Sequence, residues 1–261
     1  MNVMVFDIET VPDVEGGRRV YGLEGLSDAD TAQAMYQLRM AKTGGDFLAH
    51  HLHRIVAISV VFRSGDQLKV WSLGDLDSDE RDLLRRFFDG LERYTPTLVS
   101  WNGGGFDLPV IHYRALRHGL PAPRYWDVGD DQREFRFNNY LNRFHWLHTD
   151  LMDVLSGYQA RAVAPLDEVA TLLGLPGKMG MSGAKVWDAY QAGNLAGIRD
   201  YCETDVLNTY LVYLRFEYLR GHLGAEGYAA EQTRVRETLA AAEEPHLREF
   251  LAAWPEDAAS A

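Results

Sequence analysis

The first apolar run, VMVFDIE, carries Val3, Met4, Val5 and Phe6 directly into two acids, Asp7 and Glu9, and predicts a buried strand that ends in polar chemistry. Residues 27–42 predict a helix. Ser27 and Asp30 fit an N-cap pair, and Met35, Leu38 and Met40 follow at mixed helical spacing. RIVAISVVF and QLKVWSL predict two strands joined through Arg63, Ser64, Gly65 and Asp66 as a hairpin. SDERDLLRRFFDGLER, residues 78–93, suits a capped amphipathic helix. TLVSW predicts a short strand, which Gly103, Gly104 and Gly105 break before a helix from about Asp107 to His118. This order of strand, hairpin, helix, strand and helix predicts a mixed α/β sheet with the first strand central.

Beyond that point the pattern is mostly helical. LDEVATLLG reads as a short helix ended by Gly174, and AKVWDAYQAG as another. Residues 194–220 predict a long helix with an apolar side containing Ile198, Val206, Tyr210 and Leu214. The alanine-rich, acidic tail beyond Gly224 predicts helical decoration packed on the same domain. The expected organisation is therefore a domain over residues 1–220 and a C-terminal extension over 221–261, with no internal repeat and no low-complexity linker.

Composition narrows the class. A chain of 261 residues, 46% of them hydrophobic, supports one large domain or a domain with an appendage. No apolar run is long enough to cross a bilayer, and Met1 runs into a core strand without a basic segment ahead of an apolar one. Cys202 is the single cysteine, so no intramolecular disulfide forms; a cytoplasmic protein is expected. The net charge of −12 excludes a simple basic nucleic-acid binder. It does not exclude a metal-dependent nuclease, because bound cations reverse the local field of clustered acids. Few phosphates can be neutralised, so weak duplex affinity and action on ends are expected rather than processive clamping.

The candidate chemistry lies in three strings. Asp7 and Glu9 are two apart on a strand and share a face of the sheet. Tyr201 and Asp205 are four apart on a helix and share a face of it. Asp107 follows the glycine break near a helix N-terminus. If that helix packs beside the central strand, four carboxylates converge, and their mutual repulsion raises their pKa values. Hard cations that prefer oxygen, Mg²⁺ or Mn²⁺, relieve such crowding. Two of them about 4 Å apart stabilise the attacking and leaving oxygens of an in-line displacement at phosphorus. A tyrosine hydroxyl beside the attacking water orients it, since an ordinary pKa of about 10 makes it a poor base. Alone, D-x-E is usually a polar strand end, N-G-x-x-F-D a helix-capping turn, and Tyr and Asp at four an ordinary helix face. Their combination carries the nuclease reading.

At these residues the chain resembles the DEDD (DnaQ-like, ribonuclease H-like) superfamily of 3′→5′ exonucleases over about residues 2–220. It is most similar to the proofreading exonuclease of family B DNA polymerases, in a standalone form without a polymerase. FDIET matches the first motif, which implies Asp7 and Glu9 as metal ligands and Thr10 as a substrate contact. NGGGFDLP matches N-G-x-x-F-D-x-P, implying Asp107 as the third carboxylate with Asn102 and Phe106 flanking the terminal nucleotide. YCETD matches Y-x-x-x-D, the tyrosine subclass; the histidine subclass needs His at the position of Asp200. The resemblance further implies a mixed five-stranded sheet flanked by helices. Asp7 would bridge two ions, Glu9 and Asp205 would complete the nucleophile-side ion, Asp107 would act partly through water, and Tyr201 would hold the attacking water.

Three other features stay open. REFRFNNYLNRFHWLHTD (133–150) interleaves Arg133, Arg136 and Arg143 with Phe135, Phe137, Tyr140, Phe144 and Trp146. It reads either as stacking platforms for a single strand or as a helix burying its aromatics. PGKMGMSGAKVW (176–187) reads as a strand-clamping loop that brings Lys178 and Lys185 to substrate, or as a helix–helix connection capped by Ser182. His50, His51 and His53 lack the cysteine or second histidine cluster that completes a zinc site. Asp150 and Asp153 are expected to begin or cap an element, and Cys202 to be a buried packing residue. The expected function is 3′→5′ release of nucleoside monophosphates from single-stranded ends, DNA before RNA, with no membrane partner. The rivals are the same chemistry on RNA, and a catalytically idle module that recruits partners through its acidic tail.

Overall fold

The computed structural model describes residues 2–255. Met1 and residues 256–261 of the expected acidic extension lie outside the described residues. The strands are β1 (Asn2–Pro12), β2 (His53–Ser64), β3 (Gln67–Ser72), β4 (Thr97–Ser100) and β5 (His148–Asp150). The helices are α1 (Val14–Tyr21), α2 (Asp28–Thr43), α3 (Glu80–Tyr94), α4 (Asp107–His118), α5 (Pro123–Trp126), α6 (Leu151–Leu155), α7 (Leu166–Leu172), α8 (Val186–Gln191), α9 (Leu195–Leu219), α10 (Ala225–Ala240) and α11 (Pro245–Ala253). Among the described residues no helix is long and apolar enough to cross a membrane.

The strands form one five-stranded sheet in the order β3-β2-β1-β4-β5. β1 pairs antiparallel with β2 and parallel with β4, and β4 pairs parallel with β5. The sheet is mixed and β1 is central, as the element order implies. Its two faces carry different cores. One buries Val3, Val5, Val61 and Val99 against α9, α10 and α11. The other buries Met4, Phe6, Ile58 and Leu98 against α3 and α4. This alternation along β1 follows the two-residue period of a strand covered on both faces.

Two elements depart from their sequence signal. The stretch 133–150 is not a helix: it is a 3₁₀ turn over Arg133–Arg136, an irregular loop, and then β5. Its asparagines explain the departure. Asn139 Oδ1 accepts from the amides of Leu141 and Asn142, and Asn138 Oδ1 from those of Trp146 and Leu147. Backbone donors satisfied by nearby side chains no longer need the helical ladder. The helix α9 has no single apolar side; Cys202, Glu203, Thr204, Val206, Leu207 and Asn208 are all buried around its circumference. It lies between the sheet and α7, α10 and α11, so its polar residues are buried as well.

A buried charged cluster sets α4 beside the end of β1. Arg114 of α4 is 2% exposed and bonds Asp13, just past β1, and Glu80 at the start of α3. Glu80 Oε1 also accepts from the Ile55 amide of β2 at 2.7 Å. A fully paired buried guanidinium fixes geometry more than it adds stability. Here it fixes where α4, and with it Asp107, meets the central strand.

Candidate active site

The site lies where β1 loses its parallel neighbour. β4 pairs with β1 over Val3, Met4 and Val5 only, so the strand edge beyond Val5 is open. Along it, Asp7 and Glu9 project from one face, and the pairing with β2 shifts register between Glu9 and Thr10. The Ile8 amide, with no strand partner on that side, donates to Asp107 Oδ1 at 3.1 Å. That bond draws the first residue of α4 onto the central strand.

The glycine break between β4 and α4 is shaped for this approach. A Cβ on Gly103 would lie 2.3 Å from Ser100 Oγ and 2.5 Å from Ser100 Cβ, so only glycine fits there. Asn102 adopts φ 62°, a left-handed conformation that asparagine tolerates better than most residues. Asp150, at the end of β5, holds the loop: its carboxylate accepts from the amides of Asn102 and Gly104, each at 2.9 Å. It also caps α6 through the amides of Met152 and Asp153, the capping role its sequence position suggests. Asp150→Ala strands buried donors, so a loss of about 1–3 kcal/mol is expected in thermal or urea unfolding. An unchanged melting curve would show that the loop holds itself.

From the other side α9 brings Tyr201 and Asp205. The Tyr201 hydroxyl donates to the Asp205 carboxylate. Cys202, fully buried, directs its Sγ to Asp7 Oδ2 at 3.6 Å. Burial and the neighbouring acids push this thiol up, so in the metal-free protein it stays protonated and donates to Asp7. Its Sγ lies within 4.8 Å of carboxylate oxygens of Asp7 and Glu9. Asp7, Glu9, Asp107 and Asp205 are thus brought together with Tyr201. Burial and then mutual repulsion raise Asp7 and Glu9 well above the carboxylate range. Burial pushes Asp107 up to about 7 and Asp205 to about 6, the latter restrained by the Tyr201 hydrogen bond. Four carboxylates that are costly to ionise together, offering only oxygen donors, fit hard divalent cations.

Lys178 is the nearby cation; its charge lowers Glu9 and Asp205. It is held in place by groups with no obvious motif. Asn208 bonds Gly177 through both its amide oxygen and its amide nitrogen, and Asp167 Oδ1 accepts from the Lys178 amide at 2.7 Å. Gly177 has φ 65°, and a Cβ there would meet Asp167 Oδ1 at 2.7 Å.

A cleft of about 310 Å³ is lined by Asp7, Asn102, Phe106, Asp107, Tyr201 and Asp205, with Lys178 at its wall. A cavity of about 910 Å³ is lined by Glu9, Thr10, Phe47, His53, Phe106 and Lys178. Lys185 lines neither; it lies in a third cavity with Asp188, Asp200 and His246 that also meets Tyr201. Ser182 makes no capping bond. The aromatics of 133–150 divide: Phe135 and Tyr140 are core, whereas Phe137, Phe144 and Trp146 are exposed, and none lines the cleft or the larger cavity. The histidine triplet makes no metal cluster among the described residues. His50 bonds the Gly105 carbonyl and His53 bonds Thr10 and Leu48. Residues that sequence reasoning missed are therefore Phe47, Asp167 and Asn208, together with the contacts of His53 and Asp150. Asn208, one helical turn past Asp205, carried a weak signal; Phe47 carried none.

Together these features define a class: an α/β domain whose acid-rich cleft opens at the free edge of a central strand. Comparison with known proteins makes the assignment particular. The family of predicted 3′-5′ exonucleases related to the exonuclease domain of PolB matches residues 45–254, and the chain belongs to it. The match takes in Asp107, Tyr201 and Asp205; Asp7 and Glu9 precede it. The chain is 35% identical over 77 residues to the DNA polymerase epsilon catalytic chain of Dictyostelium discoideum, covering 28% of this chain and 3% of that protein. It is 31% identical over 108 residues to DNA polymerase 1 of Sulfurisphaera ohwakuensis, covering 41% of this chain and 12% of that protein. Among solved structures, the family B DNA polymerase of Pyrobaculum calidifontis aligns with a TM-score of 0.49 at 18% identity, over 97% of this chain and 27% of that one. The chain spans only a small part of each of these relatives.

Proposed function

We propose that this chain hydrolyses phosphodiester bonds from single-stranded 3′ ends, DNA in preference to RNA, releasing nucleoside 5′-monophosphates. The observation that carries the proposal is the convergence of Asp7, Glu9, Asp107 and Asp205 with Tyr201 at the open edge of β1. The preference for DNA rests on relatives that are DNA polymerases. Residues 1–220 would form the exonuclease unit. Residues 221–261 would be its extension, in keeping with the packing of α10 and α11 on α9.

The four carboxylates would hold divalent cations, Mg²⁺ or Mn²⁺, two per site. Such ions supply positive charge to the attacking and leaving oxygens during displacement at phosphorus. Asn102 and Phe106 would seat the terminal nucleotide, Thr10 would contact its sugar, and Lys178 would meet the phosphate, with Lys185 further out along the strand. Tyr201 would orient the attacking water. Burial and the Asp205 charge hold its hydroxyl protonated well above the ordinary tyrosine range, so it positions by hydrogen bonding and does not act as a base. Tyr201→Phe should therefore slow turnover about 10- to 1,000-fold without abolishing it. A wild-type rate would make this tyrosine structural.

The deciding assay compares 5′-labelled linear single-stranded DNA, a circular single strand, blunt duplex and RNA of the same sequence, with Mn²⁺ and with EDTA. The linear strand should shorten from its 3′ end and the circle should survive. Duplex should be slower, because each step unpaired to enter the cleft costs about 1–2 kcal/mol of stacking. Cutting of the circle would mean an endonuclease, and faster loss of RNA would reverse the substrate preference.

A further inference from the structure

The cavity beside Glu9 contains a hydrogen-bond relay that no catalytic motif requires. Thr10 Oγ1 lies 2.9 Å from His53 Nδ1, and His53 Nε2 lies 3.2 Å from the Leu48 carbonyl oxygen. A carbonyl only accepts, so Nε2 carries the proton. Burial, reinforced by His50 and His51, depresses the ring's pKa to about 4, so at neutral pH it bears a single proton. Nδ1 is then a bare acceptor, and the Thr10 hydroxyl must donate to it. With its proton committed to His53, Thr10 Oγ1 offers the cavity lone pairs only.

The relay is rigidly seated. The His53 ring meets Phe106 edge-on at 5.1 Å and Phe47 at 5.2 Å, and these two phenyl rings lie 5.4 Å apart. His53 is 8% exposed, so water does not compete freely for Nδ1. Thr10, Phe47 and Phe106 all line the cavity that adjoins the carboxylates.

We propose that His53 is a positioning residue: by accepting the Thr10 proton it makes Thr10 an acceptor-only contact that selects a 3′ terminus bearing a free hydroxyl donor. The proposal rests on the exonuclease reading above. A terminal sugar with a 3′-hydroxyl donates to Thr10; a 3′-deoxy sugar leaves a half-buried oxygen unpaired. A threonine free to rotate would donate or accept and would discriminate less.

The test compares initial rates on two 5′-labelled single strands that differ only in a 3′-hydroxyl or 3′-deoxy terminus, with Mn²⁺. The readout is the ratio of the two rates, which a general loss of activity or stability does not move. Wild type should prefer the hydroxyl terminus by about 3- to 10-fold, the value of one neutral hydrogen bond. Thr10→Val and His53→Phe should both bring the ratio towards one. His53→Asn, whose Oδ1 replaces Nδ1 as acceptor, should restore it. Should His53→Phe not purify folded, His53→Leu removes the same acceptor. A wild-type ratio of one, or a ratio kept by the acceptor-free variants, overturns the relay and leaves the exonuclease reading standing. A wild type that degrades neither strand overturns that reading, and the proposal with it.

Discussion

Asp7→Ala is expected to lower 3′-end hydrolysis on the order of 1,000-fold or more, with the fold intact. Burial, then the charges of Asp107, Glu9 and Asp205 in turn, raise the Asp7 pKa. A carboxylate that is repelled by all three neighbours is one whose ionised form bound cations would stabilise. Its loss removes charge stabilisation worth several kcal/mol in the transition state. The scaffold does not depend on it, because β1 is held by its pairing with β2 and β4 and by cores on both faces of the sheet. Removing one of four crowded carboxylates relieves repulsion in the metal-free protein, so the melting temperature in EDTA should hold or rise. Asp205→Ala should behave alike, with the further loss of the Tyr201 acceptor. Activity within tenfold of wild type, in protein free of contaminating nuclease, would contradict the assignment of these acids.

What the sequence made legible was local. Asp7 and Glu9 on one strand face, and Tyr201 and Asp205 on one helix turn, follow from periods of two and of about four, and those periods hold in the structure. The α4 helix from about Asp107 to His118 was legible as well, and the structure shows Gly119 closing it. What brings the strings together was not. The Ile8–Asp107 bond spans 99 residues, the Asp150 carboxylate reaches back 46 to 48, and the Asn208–Gly177 pair spans 31. Such contacts leave no periodic trace in one chain. The aromatic–arginine stretch stayed open between stacking platforms and a helix for a related reason: the asparagine side chains that take up its backbone donors leave no periodic signal. The placement of Lys178 over the acids and of Lys185 away from them depends on that same long-range anchoring.

Asp107→Asn should stabilise the metal-free protein at pH 8, by an amount on the order of several kcal/mol, and have little effect near pH 4. The sign follows from linkage. In the unfolded chain Asp107 ionises near its ordinary 3.8, but in the fold burial holds it protonated until about 7. Below pH 4 it is largely neutral in both states and contributes no penalty. As pH rises from about 4 to 7 the unfolded state gains from ionisation while the folded state does not, and stability falls by up to about 1.4 kcal/mol per pH unit. Asparagine keeps an oxygen for the Ile8 amide and removes the charge, so it escapes that loss. The comparison must be between variant and wild type at each pH. His53, His112 and His148, each held near 4 by burial, lose stability as pH falls over an overlapping range and would mask the effect in wild type alone. Subtraction cancels them. Adding Mn²⁺ at pH 8 should reverse the order, because wild type then gains a ligand where the variant has lost one. Urea unfolding at pH 4 and pH 8, with EDTA and with Mn²⁺, measures all four corners. A variant less stable than wild type at pH 8 in EDTA would mean that the Asp107 carboxylate is already compensated within the protein, and the cluster would need no cation.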